Sequence, residues 1–317
     1  MKRLARYGPR EIVLRAWTLV WLMLVWTMLW GNFSVANTIN GLLVALVITV
    51  LLIRAHSLLF PGGGLNTVLL VAALLTMIVG ILGAIAQSDI KRLLSFTLVS
   101  HIGYMIFGIA LSNELGMSGA IYYVAHHIIV QTTLFLVVGL IERQAGASSL
   151  NRLGGLAAAS PLLAFVFVVP ALNLGGIPPF SGFIGKVALL EAGSLQGSVL
   201  AWTLVAGGTI TSLLTLYAVA RVWTKAFWRP RSDAPEGDLA AAAPTALLDD
   251  AEDVAFVDRA DVGRIPAGML APTLGLIAVG VALTIFAGPI IAISDRAAAE
   301  VRDRTVYISA VLGGGPR

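Results

Sequence analysis

The stretch Gly175-Gly176-Ile177-Pro178-Pro179-Phe180-Ser181-Gly182-Phe183-Ile184-Gly185-Lys186 interrupts an otherwise apolar run from Leu156 to Leu195. Pro178 and Pro179 have no backbone N–H, and each biases the residue before it away from helix. The sequence therefore predicts two half-helices separated by a break at Gly176, Pro178 and Pro179. The surroundings place that break inside a bilayer. Of the 317 residues, 58% are hydrophobic and 12% are charged, against roughly 25% charged in a soluble domain. Non-helical backbone at membrane depth persists only where protein or water satisfies it.

Outward from the break, the apolar runs are long enough to span. A spanning helix needs about 20 mostly apolar residues. Candidates are Ile12 to Trp30, the shorter Ile39 to Ile53, Leu65 to Ala86, Leu93 to Leu111, Met117 to Ile141, the interrupted Leu156 to Leu195, Leu200 to Val222, and Pro266 to Ile293. The reading is an all-α polytopic transmembrane helix bundle of about eight spans, one of them discontinuous. Four segments follow from it: 1–53, N-terminal helices with Trp17, Trp21, Trp26 and Trp30 as interface anchors; 54–222, the bundle core; 223–265, an acidic flexible loop; and 266–317, a last span with an interfacial tail. The breaker cluster Pro61-Gly62-Gly63-Gly64 separates the first two. The first apolar run lacks a small-residue cleavage site, so no cleavable signal is read there.

Several chemistries are excluded. Cysteine is absent, which removes thiolate metal ligands, disulfides and a thiol nucleophile. Gly62-Gly63-Gly64 lacks the lysine and strand context of a nucleotide loop. No metal-ligand cluster and no Ser/His/Asp set stands out, so neither cofactor nor metal nor nucleic acid is expected.

What remains is a small set of ionisable residues within apolar runs. A charge at bilayer depth costs about 2.5–3.5 kcal/mol or more, so each is a functional candidate. Lys186 follows the break by about two turns. The carbonyl end of the preceding half-helix favours a cation there, whereas the positive end of the following one does not. A lysine so placed can gain or lose a proton as its surroundings change, and broken helices are used this way in transport sites. His126 and His127 lie in the Met117–Ile141 run, and histidine can relay protons. Adjacent histidines point to different faces, so only one of them is expected to line a given path. Gln131 falls one turn after His127 and shares its face. His101, with Thr97 and Tyr104 nearby, extends a polar row. Glu191 near the end of its half-helix is a weaker candidate that can reach the headgroups.

Two motifs carry a family resemblance. Ala86-Gln87-Ser88-Asp89-Ile90-Lys91-Arg92-Leu93-Leu94-Ser95-Phe96, continuing to Ser100-His101-Ile102-Gly103-Tyr104, resembles the antiporter-like subunits shared by proton-pumping NADH:quinone oxidoreductase and the Mrp-type multisubunit Na+/H+ antiporters. Gly176 to Lys186 is similar to their second discontinuous helix. Within that family, Ile53 to about Val222 looks most like the D-type subunit of the Mrp antiporters. The resemblance implies a subunit of a monovalent cation/proton antiporter in a bacterial cell membrane, carrying H+ coupled to Na+ together with other Mrp subunits. It implies that Lys186 is the lysine of the broken helix, that His127 is the histidine of the central hydrophilic axis, and that Gln131 replaces a lysine of several relatives. Lys91 matches a structural basic residue at a helix start.

Two departures accompany it. Only the second half of such a subunit is recognisable, without the glutamate–lysine pair, first broken helix and further lysine of the first half. In addition, Leu29-Trp30-Gly31-Asn32-Phe33-Ser34 and Asn40-Gly41-Leu42-Leu43 resemble the start of the E-type subunit of the Mrp antiporters. With the family's orientation, Lys91, Arg92, Arg143, Arg152, Arg221, Lys225, Arg229, Arg231, Arg259 and Arg264 fall inside, obeying the positive-inside tendency. Counting back through two spans puts the basic N-terminus outside, so the two parts prefer opposite parities. The rival implied by the same family is a membrane-arm subunit of the quinone oxidoreductase; a non-transporting fragment is the third reading.

Overall fold

The computed structural model describes residues 65–234 and 265–303, with Thr305. The expected N-terminal runs, most of the acidic segment and the end of the tail lie outside the described residues. Within them the regular structure is helical, and Asp89 and Ser149 pair as one isolated bridge. The helices are α1 (Asn66–Ala86), α2 (Ile90–Ala110), α3 (Glu114–Ala145), α4 (Pro161–Gly175), α5 (Ser181–Gln196), α6 (Val199–Val222), α7 (Ala267–Ile285) and α8 (Ala287–Arg302). A single turn, Leu156–Ala159, precedes α4. Among the described residues, α1, α2, α3, α6 with its extension and α7 are each long and apolar enough to cross a membrane.

Local chemistry sets the helix ends. Asp89 caps α2 by accepting from Arg92 N at 3.1 Å, Asn113 caps α3 through Gly116 N at 2.7 Å, and Ser198 caps α6 through Ala201 N at 3.1 Å. A short polar side chain before an apolar run supplies one of the acceptors that the first helical N–H groups lack. Gly146 closes α3 at φ 74°, the left-handed conformation that favours glycine.

Helix α3 organises the bundle. Its 32 residues reach about 48 Å at 1.5 Å per residue. It packs against α2, α4, α5, α7 and α8, so it is covered on most of its circumference. Helices α1 and α2 form a close hairpin, in which Gly80 lies against the Ser100 backbone and Gly103 against Ala73 and Met77. Small residues permit such backbone approach where lipid offers no hydrophobic drive to association. The outer side of α1 presents Val68, Val71, Leu75, Val79 and Leu82 to the surroundings, with Val79 63% exposed. An apolar stripe of that length suits lipid or the apolar face of another membrane helix.

Two boundaries differ from the sequence reading. The acidic loop does not begin at Trp223: the α6 helix continues through a wider turn, Trp223–Trp228. Packing holds it there, because Phe227 is buried and its ring stands 4.9 Å from both Phe167 and Trp223. The last span does not run to Ile293 but stops at Ile285, and α8 starts at Ala287. Pro289 lacks an N–H and fits the first turn of a new helix better than the interior of an old one.

Candidate functional site

The break lies between α4 and α5. Helix α4 ends at Gly175, Gly176 takes φ 80°, and α5 begins at Ser181. Both exposed helix ends are satisfied by side chains. Asn173 Oδ1 accepts from Gly182 N at 2.9 Å and lies 3.3 Å from Ser181 Oγ. Thr284 Oγ1, from α7, accepts from Ser181 N at 3.0 Å. These contacts supply acceptors to the N–H groups that open α5.

Lys186 serves the other end. Its side chain folds back over the break, and its Nζ donates to Leu174 O at 3.0 Å, Gly175 O at 3.1 Å and Ser212 Oγ at 3.1 Å. An ammonium has three donors and meets three oxygens. Two of those oxygens are the last carbonyls of α4, where the helix dipole is negative. Lys186 is 3% exposed, and none of these partners is a carboxylate. Ser212, on α6, donates in turn to Gly175 O at 3.0 Å. Gly176 is required twice here: its φ is left-handed, and a Cβ would stand 2.9 Å from Lys186 Cδ.

A row of buried rings continues from the lysine. Lys186 Nζ lies 5.6 Å from the centroid of the Tyr104 ring, within the range of a cation–π contact. The Tyr104 hydroxyl donates to Gly208 O. The Tyr104 and Tyr123 centroids are 5.6 Å apart, and Tyr123 Oη is 2.8 Å from His101 Nδ1. His101 and His127 stack with centroids at 4.8 Å. Both ring nitrogens of His127 are buried without a hydrogen-bond partner, as are Nε2 of His101 and of His126. Gln131, one turn beyond His127, donates to Leu94 O at 2.7 Å and leaves its Oε1 unpartnered.

Lys186, His101, His127 and Gln131 thus occupy the interior of the bundle, and Pro178 and Pro179 lie in the break. Glu191 is exposed and does not join them. The two adjacent histidines take different partners: His127 stacks on His101, while His126, also fully buried, has Nδ1 3.0 Å from Ser181 Oγ. The reason is the central position of α3, which has neighbours on more than one face. Lys91 forms an ion pair with Glu142 at 2.5 Å, at the end of α2 away from the rings. Sequence reasoning missed Asn173, Ser181, Ser212, Tyr123 and Thr284. The legible signal was Asn173, an amide in an otherwise apolar half-helix directly before Gly175-Gly176. No group of three or more His, Asp or Glu residues able to hold a metal exists among the described residues.

Comparison with known proteins gives a consistent result. A family model described as NADH:quinone oxidoreductase/Mrp antiporter, transmembrane, matches residues 19–215. The D-type subunit of the Na(+)/H(+) antiporter of Alkalihalophilus pseudofirmus is 34% identical over 281 residues, 88% of this chain and 51% of the relative. Its namesake in Bacillus subtilis is 34% identical over 164 residues, 52% of this chain and 33% of the relative. Among solved structures, a chain of the Mrp complex from Dietzia sp. DQ12-45-1b matches with a TM-score of 0.69 and 33% identity, over 87% of this chain and 53% of that one. A chain of respiratory complex I from Thermus thermophilus with bound NADH matches at 22% identity and a TM-score of 0.58, a likeness of fold alone. The chain spans about half the length of the A. pseudofirmus relative.

Proposed function

Because the chain belongs to the NADH:quinone oxidoreductase/Mrp antiporter transmembrane family, we propose that it works as a subunit of a multisubunit monovalent cation/proton antiporter in a bacterial plasma membrane. In that role it contributes part of a proton path and exchanges H+ against Na+ only together with partner subunits. It is a secondary transporter subunit rather than an enzyme. The observation that carries the reading is Lys186, an amine buried at a helix break and held by neutral oxygens alone. Such an amine can give up its proton without breaking an ion pair. Tyr104, Tyr123, His101 and His127 extend polar character from it into the bundle. Gln131 cannot titrate, so the path through this chain relies on the histidines where, by the family resemblance, several relatives carry a lysine. The membrane-arm oxidoreductase reading is weaker, since identity falls from 33% for the Mrp chain to 22% for the complex I chain.

The test is replacement of Lys186 in the assembled complex, with dye-reported pH change on adding Na+ to vesicles. Lys186→Ala should abolish exchange while the subunits still co-purify. Lys186→Arg should fail almost as badly, because guanidinium stays protonated at any relevant pH. Normal exchange by the Arg variant would mean that the site needs fixed charge. Normal exchange by the Ala variant would move the pathway off this helix.

A further inference from the structure

The oxygens around Lys186 are not equivalent. Leu174 O and Gly175 O are carbonyls, which only accept hydrogen bonds, whereas the Ser212 hydroxyl both accepts and donates. Gly175 O cannot donate, so the 3.0 Å contact places the Ser212 proton on that carbonyl. The hydroxyl oxygen is then free to accept from Nζ at 3.1 Å. This arrangement satisfies the ammonium completely.

Loss of the proton changes what the cradle must provide. A neutral amine keeps two N–H donors and exposes one lone pair. Those donors can stay on Leu174 O and Gly175 O. The lone pair then needs a donor, and neither carbonyl is one. Ser212 becomes one by rotating its O–H from Gly175 O toward Nζ. We propose that Ser212 is the positioning residue of this site, a two-way hydroxyl that lets Lys186 hold or release a proton with each Nζ group paired in both states and no movement of the backbone. A buried group left unpaired carries a substantial penalty; the rotation removes that penalty from the cycle. The proposal rests on the reading that Lys186 changes protonation during transport.

Other titratable groups facing Lys186 come from α2 and α3: Tyr104 lies under the ammonium, and His101, His126 and His127 interact with it electrostatically. Helices α4 and α7 carry no titratable side chain. In α6, Tyr217 is exposed and Arg221 binds Ile85 O at the helix end. Ser212 itself does not titrate, so a change of pH behaviour on its replacement acts through the lysine.

The experiment compares Ser212→Ala with Ser212→Thr, which keeps a hydroxyl. Exchange by the assembled complex should fall about tenfold in the Ala variant, the change expected when one hydrogen bond is lost along the cycle, and its pH optimum should move. The Thr variant should restore both. A second readout needs no transport: 15N NMR of lysine-labelled chain in bilayers, with the Lys186 signal identified by its absence in Lys186→Ala. There the midpoint between charged and neutral Nζ should be displaced by Ser212→Ala and recovered by Ser212→Thr. An Ala variant with unchanged midpoint and pH optimum overturns the proposal, as does a Thr variant that behaves like Ala. Failure of the reading that Lys186 changes protonation during transport is seen separately, as exchange that survives Lys186→Ala.

Discussion

Gly176→Ala should be costly, and most of the cost should depend on Lys186. Two terms enter. The first is conformational: Gly176 sits at φ 80°, and an L side chain in the left-handed region costs roughly 1–2 kcal/mol. The second is steric. The new methyl would lie 2.9 Å from Lys186 Cδ and 3.1 Å from Nζ, so the end of the lysine side chain must shift, at the expense of one of its three hydrogen bonds. Losing one hydrogen bond to a charged group costs about 1.5–3 kcal/mol. The total is about 2.5–5 kcal/mol. In a Lys186→Ala background only the backbone term remains, about 1–2 kcal/mol. A double-mutant cycle should therefore show a non-additivity of about 1.5–3 kcal/mol, with the double variant less damaged than the sum. Thermal unfolding in detergent would measure it, each kcal/mol moving the midpoint by about 2–4 °C. Gly176→Asn separates the terms further, since asparagine tolerates the left-handed region but has the same bulk problem. Equal costs of Gly176→Ala in both backgrounds would refute the idea that the lysine lies across the break.

Further outcomes follow from the same geometry. Arg229→Ala should destabilise by about 1.5–3 kcal/mol, since the guanidinium bonds Leu150 O at 2.5 Å and Leu153 O at 2.7 Å; thermal unfolding is the measurement. Replacing both Lys91 and Glu142 by Ala should cost no more than about 1 kcal/mol, because the pair is partly exposed, and exchange should continue. Gln131→Met should change stability by less than about 1 kcal/mol, since Leu94 O keeps the Thr97 hydroxyl at 2.8 Å; a loss of exchange in vesicles would show that the amide itself is in the path.

The break was legible because backbone chemistry wrote it: two glycines followed by two consecutive prolines strongly disfavour a continuous helix. Lys186 was legible because its cost in a bilayer is large. The inward position of both His126 and His127 was not. Periodicity reports the faces of one helix, but it does not say how many neighbours that helix has, and α3 is surrounded. Asn173 and Ser212 were visible as polar residues in apolar runs, yet their partners come from other elements or from across the break. The continuation of α6 through Trp223–Trp228 was missed because Trp223 and Phe227 looked like the border of a polar loop. Their stacking on Phe167 is a tertiary fact. The resemblance to the start of the E-type Mrp subunit falls on residues outside those described.

The amide of Asn173 also bears on a question of chemistry one residue away from the lysine's own circle. Its side-chain atom facing Gly182 must be oxygen, because a backbone N–H can only donate. When the Ser181 hydroxyl, 3.3 Å away, donates to that oxygen, Ser181 can only accept from His126. In that arrangement the proton of a neutral His126 ring is on Nδ1, and the lone pair is on Nε2, beside Gly182. Nothing about the histidine itself dictates that choice. The polarity of a single amide, passed along two hydrogen bonds, thus couples to which nitrogen of His126 is basic beside the first turn of α5.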